Sequence, residues 1–161
     1  MEYRNELSLN FLSLSENEGF ARSCVASFCL PLNPSIELIT DIKTAVSEAV
    51  TNCVVHAYPN SVGNIEINVK LSSNEIYISV KDFGVGIPDL NRAKEPFYTS
   101  KPNSERSGMG FTVMESFMDK LIVNSYLNKG TEVILIKKLE NVAEFIGGWY
   151  AGFCRHFNTY W

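Results

Sequence analysis

The chain has 161 residues and a formal net charge of −4, the length of one domain. Its 45% hydrophobic content supplies a core and excludes wholesale disorder. The acidic balance leaves no domain-wide basic surface, so direct nucleic-acid binding is not expected.

Cys24, Cys29, Cys53 and Cys154 show no CxxC spacing. They read as free thiols in a reducing cytosol rather than as zinc ligands or a disulfide framework. MEYRNELSLN lacks the basic start and apolar run of a secretory signal, and no stretch of about 18 apolar residues follows. A cytoplasmic location without membrane association is expected.

In chain order, ELSLNFL (6–12) alternates and predicts a strand. Ser15 with Glu18 forms a capping-box pattern ahead of a helix that runs to about Leu30, before Pro31. A second helix starts near Ser35. Ile39, Ile42, Val46, Ala49 and Cys53 give it one buried face, and it should end near His56. Residues 64–71 and 75–82 alternate as two strands joined through Ser72-Ser73-Asn74. Residues 83–107 read as a long loop with a short helix near 89–94, and a loop of that length is usually functional or mobile. Gly108 to Met118 reads as a helix. Residues 121–126 and 131–138 read as a hairpin about Asn128-Lys129-Gly130. Strand, helices, strands, loop, helix and strands together predict an α+β sandwich, with helices on one face of a mixed sheet.

Three segments carry the residue types of a chemical site. In SEAVTNCVVHAY (47–58), Glu48, Asn52 and His56 are spaced by four and share a helix stripe at the rim of the core. A carboxylate there can act as a base and an amide oxygen can ligate Mg²⁺, although a solvated polar face has the same pattern. In KDFGVGIP (81–88), Asp82 shares strand parity with Ile76, Ile78 and Val80. A carboxylate aimed at the core side needs a donor, and a ligand amino group would serve. Gly84 and Gly86 let backbone approach such a ligand, while Asp before Gly also caps turns. The DFG string does not make a eukaryotic protein kinase, since no HRD loop or VAIK strand accompanies it. In TSKPNSERSGMGF (99–111), Lys101 and Arg106 flank a Gly-x-Gly that opens a helix, where backbone N–H groups favour phosphate. A polar loop with a glycine turn would look the same.

In order, E-x-x-x-N on a helix, D-x-G-x-G after a strand and G-x-G-F at a helix start resemble the N, G1 and G2 boxes of the gyrase, Hsp90, histidine kinase and MutL ATP-binding superfamily. The implied fold is the Bergerat two-layer α/β sandwich. FARSCVASF, EAVTN and TSKP through ERSGMGF resemble the serine kinase/anti-sigma group of endospore-forming bacteria, from about Leu7 to Leu139.

That resemblance implies residue roles. Glu48 is the base that deprotonates a substrate hydroxyl, and Asn52 is the Mg²⁺ ligand. Asp82 accepts from the adenine amino group, while Gly84, Gly86 and Thr131 shape the adenine pocket. Thr99, Ser100, Lys101 and Arg106 form a lid over the phosphates. Gly108, Met109, Gly110 and Phe111 hold the α- and β-phosphates. His56 reads as a helix-end histidine with a local hydrogen bond rather than a phosphoacceptor.

The implied function is double. The chain would inhibit a sporulation sigma factor by binding it. It would also be a Mg·ATP-dependent serine kinase, acting on an anti-anti-sigma factor and leaving ADP. A homodimer is expected, and Arg22 on the first helix is a candidate sigma contact. The alternative is the detached ATP-binding domain of a two-component histidine kinase, weakened by the lack of a preceding phosphoacceptor helix pair.

The ATP-binding domain is placed at 1–140. Residues 141–161 hold seven of the nineteen aromatics, with Phe145, Trp149, Phe153, Phe157 and Trp161 every fourth residue. Gly147, Gly148 and Gly152 interrupt that stripe, and the segment reads as an extension without function rather than an interaction tail.

Overall fold

A computed structural model describes residues 4–95 and 108–139. Strand β1 (Asn5–Leu12) is followed by helix α1 (Glu16–Cys29) and a 3₁₀ turn (Leu30–Leu32). Helix α2 (Ile36–Asn52) continues into a π turn (Cys53–Ala57). Strands β2 (Asn64–Leu71) and β3 (Glu75–Asp82) come next, then a short helix α3 (Leu90–Ala93). Helix α4 (Gly110–Phe117), β4 (Lys120–Tyr126) and β5 (Gly130–Lys138) complete the described fold. The sequence-predicted elements are all present, with ends within about two residues.

The sheet order is β1-β2-β3-β5-β4. All four strand pairs are antiparallel, which corrects the expected mixed sheet. The cause is the placement of β5. The connection through α4 returns β4 in the same direction as β3, as a βαβ crossover would. The following hairpin then inserts β5 between them, so the two like-directed strands never meet.

Register decides which face is core. Ile65 lies opposite Asp82, Ile67 opposite Val80 and Val69 opposite Ile78. Val80 and Ile78 in turn face Val133 and Leu135 on β5. This ridge is buried against Val25 and Cys29 of α1, Ile42, Val46 and Ala49 of α2, and Met114 of α4. The opposite face is polar along β1 and β2, tied by Ser8 to Asn68, and mixed along β3, β4 and β5, where Ser79 bonds Glu132 and Tyr77, Ile122, Ile134 and Ile136 share the face. Among the described residues, the helices pack on one face of the sheet.

Helix ends place the site. At α2, Ser35 accepts from Leu38 N at 3.1 Å, an ordinary N-cap. At α1 the predicted capping box does not form. Ser15 already has helical dihedrals, and its side chain makes no cap bond. Glu18 turns instead to Arg22 at 2.6 Å and to the Ser47 hydroxyl. At the C-terminus of α4, Lys137 Nζ of β5 donates to Phe117 O at 2.7 Å and pairs with Asp41 of α2 at 3.0 Å. One ammonium thus ties both helices to the sheet, and a cation at a helix C-terminus is favourable.

Candidate nucleotide site

A cleft of about 1080 Å³ opens between α2, the π turn, the loop after β3 and the start of α4. Two ends can be distinguished.

At one end, Asp82 is 4% exposed. Its Oδ1 accepts from Gly84 N at 2.9 Å and Thr131 N at 3.2 Å. Burial pushes the carboxyl above the usual carboxylate range, while those two N–H groups and the Cys53 thiol pull it back down. Cys53 is itself buried, and its thiol is pushed well up, first by burial and then by the Asp82 charge.

Backbone contacts close this end from three sides. Val85 N donates to Ala57 O at 3.0 Å, and Asn128 N to Val85 O at 2.9 Å. Ser125 Oγ accepts from Ile87 N and lies 2.8 Å from Thr131 Oγ1. Tyr58 accepts from Phe83 N at 2.8 Å and donates to Asn64 O at 2.6 Å. The π turn, the loop after β3 and the β4–β5 hairpin are thereby clasped together. A π turn extending a helix is often found at functional sites.

The glycines here answer to backbone rather than to empty space. A Cβ on Gly84 would lie 2.0 Å from Ala57 O. Gly86 has φ +73°, and a Cβ there would lie 2.3 Å from Tyr126 O. Gly86 lines the cleft, whereas Gly84 does not and instead seats the loop on the π turn.

At the other end, Glu48 and Asn52 stand one turn apart on α2, facing the start of α4. A Cβ on Gly110 would lie 3.1 Å from Glu48 Oε2 and 3.3 Å from Asn52 Nδ2. Among the described residues, no side chain caps this helix start, and its first intrahelical bond runs from Val113 N to Met109 O. The leading N–H groups are those that bind anions at helix N-termini. Gly108, Met109, Gly110 and Phe111 all line the cleft here.

The structure therefore brings Glu48, Asn52, Asp82, Gly86, Gly108 to Phe111 and Thr131 to one cleft, with His56 on the same wall. Thr99, Ser100, Lys101 and Arg106 lie outside the described residues. Residues not assigned to this site from the sequence also line it: Cys53, Arg22, Ser47 and Arg92. Arg22, expected as a sigma contact, lines the cleft, bonded to Glu18 and 3.2 Å from Ser47 Oγ. Its four-residue spacing from Glu18 is visible in the sequence, but the pairing with Ser47 across two helices is not.

Among the described residues, no group of three or more His, Cys, Asp or Glu side chains could hold a metal ion. A divalent cation here would need oxygen from a ligand's phosphates in addition to the amide of Asn52, which is the usual manner for Mg²⁺. Also among the described residues, no helix is long and apolar enough to cross a membrane.

The fold and the cleft define a class. Residues 13–137 match the family model of the histidine kinase-like ATPase domain. The chain is similar in fold to the catalytic domain of the histidine kinase ThkA, with TM-score 0.51, 18% identity and coverage of 82% of this chain and 97% of that one. It is also similar to a Mycobacterium tuberculosis structure of RsbU and RsbW domains, with TM-score 0.62, 19% identity and coverage of 84% and 32%. A domain of this class binds nucleotide.

Closer relatives narrow it. The chain is 55% identical over 137 residues to the anti-sigma F factor of Thermoanaerobacter sp. (strain X514), covering 85% of this chain and 96% of the relative. It is 55% identical over 136 residues to that of Clostridium perfringens (strain SM101 / Type A), covering 84% and 97%. It is 50% identical over 137 residues to that of Bacillus licheniformis, covering 84% and 94%. The chain belongs to the anti-sigma F factor family of histidine kinase-like ATPase domains.

Proposed function

We propose that the chain inhibits a sporulation sigma factor by binding it and, with Mg·ATP, phosphorylates a serine of an anti-anti-sigma factor. The observation that carries the kinase half is the approach of Glu48 and Asn52 to Gly110, which puts a carboxylate, a carboxamide and a helix start at one end of the cleft.

Asp82, held by two backbone donors, accepts from the adenine amino group, with Gly86 and Thr131 beside it. The N–H groups that open α4 receive phosphate oxygens, so the γ-phosphoryl group lies toward Glu48. Glu48 takes the proton of the partner's serine hydroxyl as its oxygen bonds to the γ-phosphorus. The bond from phosphorus to the bridging oxygen breaks, and its electron pair leaves with ADP. Positioning and charge stabilisation carry most of such a reaction. The donor set fits Mg²⁺, with Asn52 as its protein ligand, and the ion when bound neutralises phosphate charge.

Arg22, which lines the same cleft as Glu48, contacts the sigma factor in this reading. ATP favours the sigma-binding form and ADP the form that holds the anti-anti-sigma factor, with Thr99, Ser100, Lys101 and Arg106 reading the difference. A ligand shifts such an equilibrium only by its differential affinity for the two forms. The protein is cytoplasmic and dimeric in this reading. The activity is assigned to residues 1–140 and none to 141–161.

The test is incubation of the unaltered chain and Glu48→Gln with labelled ATP, Mg²⁺ and an anti-anti-sigma protein, beside sigma-factor pull-down. Phosphoserine should form only with the unaltered chain, and sigma binding should survive in both. Label transfer by Glu48→Gln at the normal rate refutes the base. Absence of sigma binding refutes the inhibitor.

A further inference from the structure

We propose that Tyr58 is a positioning residue for base recognition: its hydroxyl, set into the ladder between β2 and β3, holds the turn after β3 in the path that aims the Asp82 carboxylate at the base. The inference rests on the nucleotide reading of the site.

Register shows what the hydroxyl replaces. At the turn joining β2 to β3, Ser72 N donates to Glu75 O at 3.0 Å. In an antiparallel pair, hydrogen-bonded partners recur at every second residue. With Glu66 opposite Lys81, the pair after it in that series is Asn64 with Phe83. There the Tyr58 hydroxyl stands between the two chains. Phe83 N donates to it at 2.8 Å, and it donates to Asn64 O at 2.6 Å. One hydroxyl thus satisfies both backbone groups while keeping the chains apart.

The side chain is fixed from behind. Tyr58 directly follows the π turn. Its ring lies on Gly63, where a Cβ would sit 2.0 Å from Tyr58 Cε1. Gly63 is itself held by Ser13: its N donates to Ser13 Oγ at 3.0 Å, and its O accepts from Ser13 N at 2.9 Å.

The hydroxyl governs what comes after Phe83. The chain there leaves the sheet for the π turn, where Val85 N donates to Ala57 O. Gly84 N, on that path, donates to Asp82 Oδ1 at 2.9 Å. Without the hydroxyl, Phe83 N and Asn64 O are left to pair directly, because unpaired backbone groups are costly. Closing that gap draws Phe83 toward β2 and Gly84 away from Asp82. Ala57 and Pro59 line the cleft, whereas Tyr58 between them turns to the strands. It therefore acts through this backbone and not on the ligand.

The experiment measures affinities of ATP, GTP and inorganic tripolyphosphate for the full chain, Tyr58→Phe and Asp82→Asn. In Tyr58→Phe the ATP-to-GTP affinity ratio should fall about tenfold, the scale of one unmade backbone hydrogen bond. Tripolyphosphate affinity should not change. In the unaltered chain, hydrogen exchange of the Phe83 amide should slow when ATP binds and stay the same with tripolyphosphate. An unchanged ratio in Tyr58→Phe, with the ratio lost in Asp82→Asn, overturns this inference alone. An unchanged ratio in Asp82→Asn overturns the reading of the base end beneath it. Parallel loss of ATP and tripolyphosphate binding in Tyr58→Phe also overturns the inference, since it shows a general loosening. If Tyr58→Phe fails to fold, the exchange measurement still decides: a Phe83 amide indifferent to ATP refutes the proposal.

Discussion

The two ends of the cleft are built by different means. At the Asp82 end, three segments distant in sequence are locked by backbone hydrogen bonds, and a buried carboxylate already has donors before any ligand arrives. At the Glu48 end, two side chains one turn apart face the start of α4, held from behind by Lys137 at that helix's far end. In the proposed reading, one end is a preformed pocket for a small planar donor. The other is an arrangement of charge and helix ends that an anionic ligand would complete. If the first end receives the base and the second the phosphates, recognition and chemistry are separable, and mutations can be chosen to strike each alone.

The largest effect should fall on base recognition. Asp82→Asn replaces an acceptor-only group by one with donors of its own. A site built to pair with a ligand donor rejects analogues by about 10⁴–10⁵, so ATP should bind far more weakly and its preference over GTP should collapse. Competition binding measures it, and equal affinity for ATP and GTP in the unaltered chain would sink the contrast at its first step. At the other end, Glu48→Gln should keep ATP affinity while phosphoryl transfer drops roughly 10²–10⁴-fold, the range for a lost general base. A parallel loss of ATP binding, read by the same competition assay, would show the two ends are not separable.

Two glycines sharpen the comparison. Gly84→Ala drives a Cβ to 2.0 Å from the Ala57 carbonyl, which is backbone and cannot step aside. The variant should lose about 1–3 kcal/mol of stability, seen as a lower denaturant midpoint, and lose base discrimination with it. Gly110→Ala brings a Cβ to 3.1 Å from a Glu48 side-chain oxygen, which can give way. It should leave the midpoint almost unchanged and impair transfer instead. The same midpoint shift in both would mean the ends are equally rigid.

Much of this was legible in the sequence because it is local. The parity of Ile76, Ile78, Val80 and Asp82 placed a carboxylate on the core face, and register in the sheet agrees. The four-residue spacing of Glu48 and Asn52 placed both on one helix stripe. What escaped was set by distant contacts. Gly84 reads as making room for a ligand, yet it makes room for Ala57, 27 positions earlier. The Ser15–Glu18 capping pattern was outcompeted by Arg22 and Ser47. Cys53 reads as one more apolar residue of a buried stripe, since nothing local reveals that it lines the same cleft as Asp82. The antiparallel sheet depends on a hairpin inserting its second strand, and hairpin signals do not say where a hairpin docks.

The smallest expected effect concerns stability in the ligand-free protein. Burial raises the folded-state pKa of Asp82 above its ordinary value of 3.8, the three donors offsetting only part. The folded state therefore holds that proton more tightly than the unfolded chain, and stability falls as pH rises through the folded pKa. Above the folded pKa the carboxylate is ionised and buried, a condition that in the proposed reading serves the ligand rather than the fold. Asn at this position is nearly isosteric, can still accept from Gly84 N and Thr131 N, and carries no charge to desolvate. Asp82→Asn should thus melt at a higher temperature than the unaltered chain at pH 7. The gap should narrow as pH falls through the folded pKa, where the unaltered carboxyl regains its proton. Thermal melts of both proteins without nucleotide, across pH 4 to 7, make the comparison. A variant that is less stable at pH 7, or a gap that does not depend on pH, would mean that the base end is held for the fold's sake, and its separation from the phosphate end would lose its physical basis.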